Sequence, residues 1–331
     1  MGYKVVALVS GGKDSTLNMM RIADAGHEIV ALGNLFPAPG DGDELDSFMY
    51  QTVAHEGICA IAECLDLPLF RAPLRPASSL NQELEYQTTE GDEVEDLFRL
   101  LSHIKDVMPD VTAVASGAIL SNYQRTRVEA VAMRLGLVSL SFLWMGDQRE
   151  LLDEMIDAGL EAVLVKVACM GLYPDKHLGK TLGQMRATLH RLNDEFGVHV
   201  CGEGGEYESF TLDCPLYHRR IVVNEWETSP IEGDSMAPIA NLRAAKLHLE
   251  DKPGRPPTGS GGFRVEELPV LSQPPAASLP ALDAAAASVS ASSAGAPGHG
   301  RGGFTLGARG VGSIEGGIEE QAQTVLESLE R

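Results

Sequence analysis

Tyr3-Lys4-Val5-Val6-Ala7-Leu8-Val9-Ser10-Gly11-Gly12-Lys13-Asp14-Ser15 is the stretch on which the fold turns. Residues 3–9 are largely apolar and rich in Val, the composition of a strand buried on both faces. The run breaks at Ser10-Gly11-Gly12. Residues 14–25 then carry Leu17, Met20, Ile22 and Ala23 at helical spacing, and Gly26 stops the helix. A second apolar run covers 27–36. Strand, helix and strand in that order imply a right-handed crossover and a parallel sheet.

Working outward, the same alternation continues. Buried strands are expected at 68–72, 111–118, 139–143 and 162–167, with helices at 46–65, 92–107, 122–135 and 149–158 between them. A helix at 181–196 is followed by a changed pattern: apolar 198–201, a glycine and glutamate loop, a strand at 220–223 and another at 242–249. From Asp251 the chain turns to Pro, Gly, Ala and Ser, a composition too poor in apolar surface to fold alone. Helical spacing returns at Ile318, Ala322, Val325 and Leu329. The expectation is an α/β protein with a Rossmann-like parallel-sheet nucleotide domain over 1–142 and a second, smaller α/β domain over 143–252. A low-complexity linker over 253–312 and an isolated helix within 313–331 complete it.

The 331 residues are 44% hydrophobic and 22% charged, which suits a globular protein of about two domains. Lys and Arg number 26 against 47 Asp and Glu, a net charge of -21. The surplus is not a tail effect, because 21 bases face 39 acids before Pro253. Phosphate must therefore be bound locally, and a general nucleic-acid surface is not expected. Five cysteines without a CxxC pair read as structural thiols in a reducing compartment. No apolar run reaches the roughly 18 residues of a membrane span, and the short start at 3–9 is no signal peptide. A cytoplasmic, membrane-free protein is expected.

Ser10 to Ser15 join the end of a buried strand to the start of a helix, where unpaired N–H groups and the helix dipole form an anion site. Gly11 and Gly12 let the backbone close on a phosphate, Ser10 and Ser15 add hydroxyl donors, and Lys13 adds charge. Asp14 would repel phosphate unless Mg2+ lay between them, so Asp14 is the candidate metal ligand. The plain alternative is a glycine turn with Asp14 favouring the helix start. A Walker A loop is excluded, since Asp14 follows Lys13 where Ser or Thr is required.

The pattern Ser-Gly-Gly-x-Asp-Ser after an N-terminal strand resembles the loop of the ATP pyrophosphatases (PP-loop enzymes), whose nucleotide domain is of the HUP type. Three further segments narrow the likeness: 91–97 with Asp92, Glu93, Glu95 and Asp96; Gly117-Ala118-Ile119 followed by Ser121, Tyr123, Gln124, Arg125, Arg127 and Glu129; and Gly202-Glu203-Gly204-Gly205-Glu206-Tyr207-Glu208. With Leu143-Trp144, Asp147-Gln148, Leu178-Gly179-Lys180 and Asp213-Cys214-Pro215-Leu216, they resemble the diphthine-ammonia ligase family over residues 3–252. That resemblance implies ATP and Mg2+ as cofactors, an acyl-adenylate intermediate, and release of AMP and pyrophosphate. The implied partners are ammonium and translation elongation factor 2 bearing diphthine, which becomes diphthamide. The segment near 318–329 looks like one helix of a YjgF/RidA-like domain.

The candidate nucleotide site is Ser10, Gly11, Gly12, Lys13, Asp14, Ser15 and Gly117. Ser121 is positioned to cap a helix whose first turns bring Arg125 and Arg127 toward the carboxyl edge of the sheet, where they would neutralise departing pyrophosphate. The alternative is that Arg127 pairs with a helix carboxylate and Arg125 is solvated. Glu203, Gly204, Gly205, Glu206, Tyr207 and Glu208 are the candidate acceptor loop, with Glu203 and Glu206 as catalytic carboxylates. Acids and aromatic faces suit the quaternary ammonium of diphthine, and Tyr207, Trp144 and Tyr123 are candidate walls. The acids at 92–96 rank behind them, since charge at a helix start is usually solvated. No cysteine has a recognisable His partner, so free ammonium is the expected nitrogen source. The competing readings are an RNA-modifying enzyme of the tRNA-thiolation type and a nucleotide sensor without catalysis.

Overall fold

The computed structural model describes residues 2–37, 57–74, 83, 86–231, 233, 236–254 and 262–270. Its first sheet is built from β1 (Lys4–Leu8), β2 (Glu28–Pro37), β3 (Pro68–Leu74), β4 (Ala113–Ala115), β5 (Val138–Leu140) and β10 (Arg264–Glu267). The order is β10-β3-β2-β1-β4-β5 and each neighbouring pair is parallel. This is the Rossmann-like arrangement expected, with β1 central.

Alternation along β1 divides the core. Val5, Ala7 and Val9 pack with α1 (Lys13–Asp24) and α2 (Ile58–Leu65) on one face. Val6 packs on the other with α3 (Glu93–Val107) and α4 (Asn122–Leu135). Val5 and Val6 are both fully buried, and each such side chain contributes roughly 1.5–3 kcal/mol. The chain leaves β1 toward β2 and β3 and returns to its other side with β4. That reversal opens a crevice beyond the strand ends, where ligands of such sheets collect.

Side-chain caps set the helix starts. Asp92 accepts from the Val94 N–H at 3.0 Å, and Ser121 accepts from the Gln124 N–H at 3.3 Å. Asp147 accepts from Arg149 and Glu150 at the start of α5 (Gln148–Asp157). Thr181 and Gln184 form a reciprocal capping box on α7 (Leu182–Phe196). Each such cap is worth about 1 kcal/mol.

The second sheet differs from expectation. The strand near 162–167 is β6 (Glu161–Val167), and it leaves the parallel sheet to join β7 (Tyr207–Asp213), β8 (Arg219–Thr228) and β9 (Ala240–Asp251) in the antiparallel order β7-β6-β9-β8. An apolar strand reads alike in either sheet. A short helix, α6 (Pro174–His177), which was not expected, follows β6. The described residues form one compact unit, and a single core runs from β1, α1 and α2 into β6, β7, α5 and α7.

Three further expectations are corrected. The stretch read as linker from residue 253 contains β10, which pairs with β3 and brings Glu267 to Arg71 at 3.2 Å. The backbone ladder places it there, because an open parallel sheet accepts an edge strand with little apolar content. The acids at the start of α3 are not solvated: Asp92, Glu93 and Asp96 are fully buried. Glu208 lies in β7, off the loop. The expected helix at 46–56 and the helix within 313–331 lie outside the described residues. Among the described residues, no helix is long and apolar enough to cross a membrane.

Candidate active site

The loop after β1 is held from two sides. Gly11 adopts φ +87°, and its carbonyl accepts from the Thr211 N–H of β7 at 2.9 Å. The Lys13 N–H donates to Ser209 Oγ at 3.1 Å, also from β7, and the Gly12 N–H donates to Ser10 Oγ at 3.3 Å. Ser15 Oγ and Thr16 Oγ1 both donate back to the Gly12 carbonyl at 3.0 Å. A helix start leaves its first N–H groups without intrahelical partners. Those of Asp14 and Ser15 have no acceptor among the described residues. The second sheet thus braces the loop and leaves the helix start open to an anion.

Gly117, beyond β4, is decided by distance. A Cβ there would stand 2.7 Å from the Ser15 nitrogen and 2.8 Å from the Asp14 carbonyl carbon. Any larger residue would push the end of β4 away from the helix start.

These segments enclose a cavity of about 170 Å³ lined by Ser10, Asp14, Ser15, Asn34, Gly117 and Glu203, with Leu8, Leu97 and Val128 as apolar walls. Cavities of about 150 Å³ take a benzene-sized ring, so this volume suits a planar base with its polar end at the helix start. Lys13 lies beneath, 3% exposed, with Nζ 2.8 Å from Asp14 Oδ2 and 5.0 Å from the centre of the Tyr207 ring. Burial is the largest single influence and opposes its charge, but Asp14, Tyr207 and Cys201 together hold the ammonium above the usual lysine value. Asp14 Oδ1 is buried without a hydrogen-bond partner among the described residues.

The carboxylate loop separates its three glutamates. Glu203 reaches the cavity, and its Oε2 accepts from the Leu120 N–H at 3.1 Å. Burial, followed by the charge of Asp14, raises its carboxyl above the usual range. Glu206 instead fastens the loop: Oε1 accepts from the His199 N–H and Oε2 from the Gly204 N–H, each at 2.8 Å. Glu208 faces Lys166 at 3.6 Å across the second sheet. Tyr207 is 2% exposed and donates to the Val200 carbonyl at 2.8 Å, a wall beneath Lys13. Gly204 and Gly205 form the exposed tip between them.

The two arginines of α4 do not line this cavity, whereas Gln124 and Val128 of the same helix do. Helical geometry turns Arg125 and Arg127 to other faces. Arg125 pairs with Glu129 at 2.6 Å and lies 4.6 Å over the Trp144 ring. Arg127 is fully buried, stacked 3.3 Å over Tyr123, and donates to the Glu83 carbonyl at 3.0 Å. Trp144 and Tyr123 thus hold arginines. Burial keeps the thiols of Cys64, Cys201 and Cys214 near 12 and that of Cys169 near 11, so none is a thiolate at neutral pH.

Comparison with known proteins gives the family of the chain. The profile of the diphthamide synthase N-terminal domain matches residues 3–139, and that of the diphthamide synthase C-terminal domain matches 147–241. The chain belongs to the diphthamide synthase family. It is 54% identical over 250 residues to a diphthine–ammonia ligase of Danio rerio, covering 75% of this chain and 97% of that protein. The Homo sapiens protein of the same name is 53% identical over 251 residues, 75% of this chain and 93% of its own length. The Schizosaccharomyces pombe protein is longer: 52% identity over 250 residues covers 40% of it.

Within this diphthamide synthase fold, the sequence reading missed Asn34, Gln124 and His199. Asn34 is a buried polar residue in the otherwise apolar β2; it donates to the Val9 carbonyl at 3.0 Å and accepts from Arg71 at 3.0 Å. An amide inside a buried strand was the available signal. Gln124 was quoted as a motif residue without a role and His199 carried no signal, because their roles depend on which face of a helix or turn meets the cavity.

Proposed function

We propose that this chain is an ATP-dependent ligase that amidates diphthine on translation elongation factor 2 with free ammonium, giving diphthamide, AMP and pyrophosphate. The observation that carries the reading is the meeting, in one cavity, of an anion-binding helix start with a single carboxylate, Glu203, from a separate loop. Phosphate is bound by the Asp14 and Ser15 N–H groups, with Ser10 and the charge of Lys13 in support. Its base occupies the apolar walls between β2 and α4. A diphthine carboxylate oxygen attacks the α-phosphorus, and the bond to pyrophosphate breaks. Ammonia then attacks the acyl carbon, and AMP leaves with the electron pair. Glu203 takes the proton that ammonium must lose before its lone pair is available, and burial beside Asp14 makes it a stronger base than an ordinary carboxylate.

Mg2+ fits this site through Asp14, whose Oδ1 is buried and unpartnered among the described residues. A single carboxylate completed by phosphate oxygens is an ordinary Mg2+ arrangement. When bound, Mg2+ would neutralise phosphate charge. No group of three or more His, Cys, Asp or Glu is placed to hold a metal among the described residues, so Asp14 is the one ligand named. The candidate acceptor loop leads into β7 of the second sheet, which supports reading residues 143–252 as the acceptor-binding part. Acidic charge overall and the protonated buried thiols speak against an RNA-thiolating enzyme.

The test is product analysis by phosphorus NMR with diphthine-bearing elongation factor 2, ammonium and ATP. AMP and pyrophosphate are expected in step with amide. ADP and inorganic phosphate as main products would end the pyrophosphatase reading.

A further inference from the structure

His199 opens the carboxylate loop and has no part in the chemistry described so far. It is half-buried. The charged groups that face it are Glu206 from its own loop and Lys13 and Asp14 from the start of α1. Its Nδ1 meets two backbone donors, the Cys201 N–H at 3.2 Å and the Glu203 N–H at 3.4 Å. Two donors converging on one ring nitrogen need a lone pair there, so the proton of the neutral ring sits on Nε2. Nε2 is itself buried and unpartnered among the described residues. The backbone of His199 is engaged as well: its N–H donates to Glu206, and its carbonyl accepts from the Gly202 N–H at 2.9 Å.

We propose that His199 is a positioning residue for amide transfer, whose neutral imidazole gathers the Cys201 and Glu203 N–H groups into one turn and thereby holds the Glu203 carboxylate at the cavity. The proposal rests on the role given to Glu203 above. Protonation would place a hydrogen on Nδ1 facing both N–H groups, replacing two attractions with donor against donor. Burial holds His199 below the usual histidine value. The folded loop therefore favours the neutral ring. Its contribution to loop order is complete above the ordinary histidine pKa and is lost as pH falls through the lowered one. Glu203 titrates separately, from above the usual carboxylate value. The two acid limbs can be told apart because Asn presents a carbonyl oxygen that accepts N–H groups without titrating.

The experiment uses the full chain in two arms. In the first, without substrate, ¹⁵N NMR reads the imidazole tautomer, and hydrogen exchange reads the Cys201 and Glu203 amides against pH. An Nε2–H tautomer is expected, with both amides protected at neutral pH and exposed below the His199 pKa. His199→Asn keeps that protection in acid, and His199→Ala lacks it throughout. In the second arm, His199→Asn amidates within about threefold of wild type at neutral pH, with its acid limb moved to lower pH. His199→Ala loses amidation by at least about tenfold, the scale of a misplaced catalytic group, while ATP binding is kept. An Nδ1–H tautomer, unchanged amide protection in His199→Ala, or an unmoved acid limb in His199→Asn overturns the proposal. If His199→Ala fails to fold, the tautomer and the Asn variant decide. Wild-type protein that makes no amide would sink the functional reading, and the first arm would still judge His199.

Discussion

Two glycine-bearing loops meet at the cavity, and they are held in opposite ways. The loop from Ser10 to Ser15 works through its backbone: Gly11 sits at positive φ, Gly117 comes within reach of the Ser15 nitrogen, and the open N–H groups belong to the main chain. The loop from His199 to Glu206 works through side chains. Glu206 and His199 tie it from within, and Gln148 of α5 accepts from the Val200 N–H at 2.7 Å from outside. A backbone site tolerates changes in most of its side chains but not in its glycines. A side-chain site has the opposite weakness: its glutamates carry distinct duties, so identical substitutions have different consequences.

The largest expected effect breaks the first loop. Gly117→Val places branched carbon within 3 Å of the α1 start, so ATP affinity measured by calorimetry should fall more than about 100-fold, in line with roughly 3 kcal/mol or more of lost contact. Retained affinity would mean that close backbone approach does not shape the site.

The next prediction sharpens the second loop by a pair. Glu203→Gln keeps shape and removes charge, so ATP affinity should survive while amide formation falls by roughly 10²-fold. Glu206→Gln trades two acceptor oxygens for one, leaving a backbone N–H without its partner. Its amidation per folded molecule should stay within a few-fold of wild type while stability falls by about 1–3 kcal/mol, read as a lowered Tm. If the two variants exchange these phenotypes, the duties of the two glutamates are reversed.

The smallest effect tests an edge far from both loops. A chain ending at Lys252 lacks β10 and loses the contacts of Glu267 with Arg71 and of the Pro269 carbonyl with Arg99. It should still fold and bind ATP, with a Tm lower by a few degrees, since about 1 kcal/mol moves a protein of this size by roughly 2–4 °C. An unchanged Tm would make β10 an idle edge.

Much of the architecture was legible before any coordinates. The β1, loop and α1 order, the bounds of α4 and α7 and the capping role of Ser121 follow from apolar periodicity and local hydrogen bonding, and the structure reproduces them. Local signals failed where one pattern serves two settings. The apolar run at 161–167 suits a buried strand in either sheet, and only its partners β7 and β9 show which it joined. Arg125 and Arg127 differ by two positions, which is 200° around a helix, and neither reaches the cavity that the motif suggested.

By itself, the sequence determined the parallel sheet around β1 and the order of strand, glycine loop and helix, because these rest on the spacing of neighbours along the chain, and its ordered motifs carried the likeness to the family. Tertiary structure decided the division of labour among the carboxylates. Glu203 faces Asp14 across a cavity, Glu206 closes its own loop, and Glu208 meets Lys166 across a sheet. Three identical side chains within six residues are distinguished only by what packs against them, and those partners come from α1, the loop's own backbone and β6, segments that chain order does not place side by side.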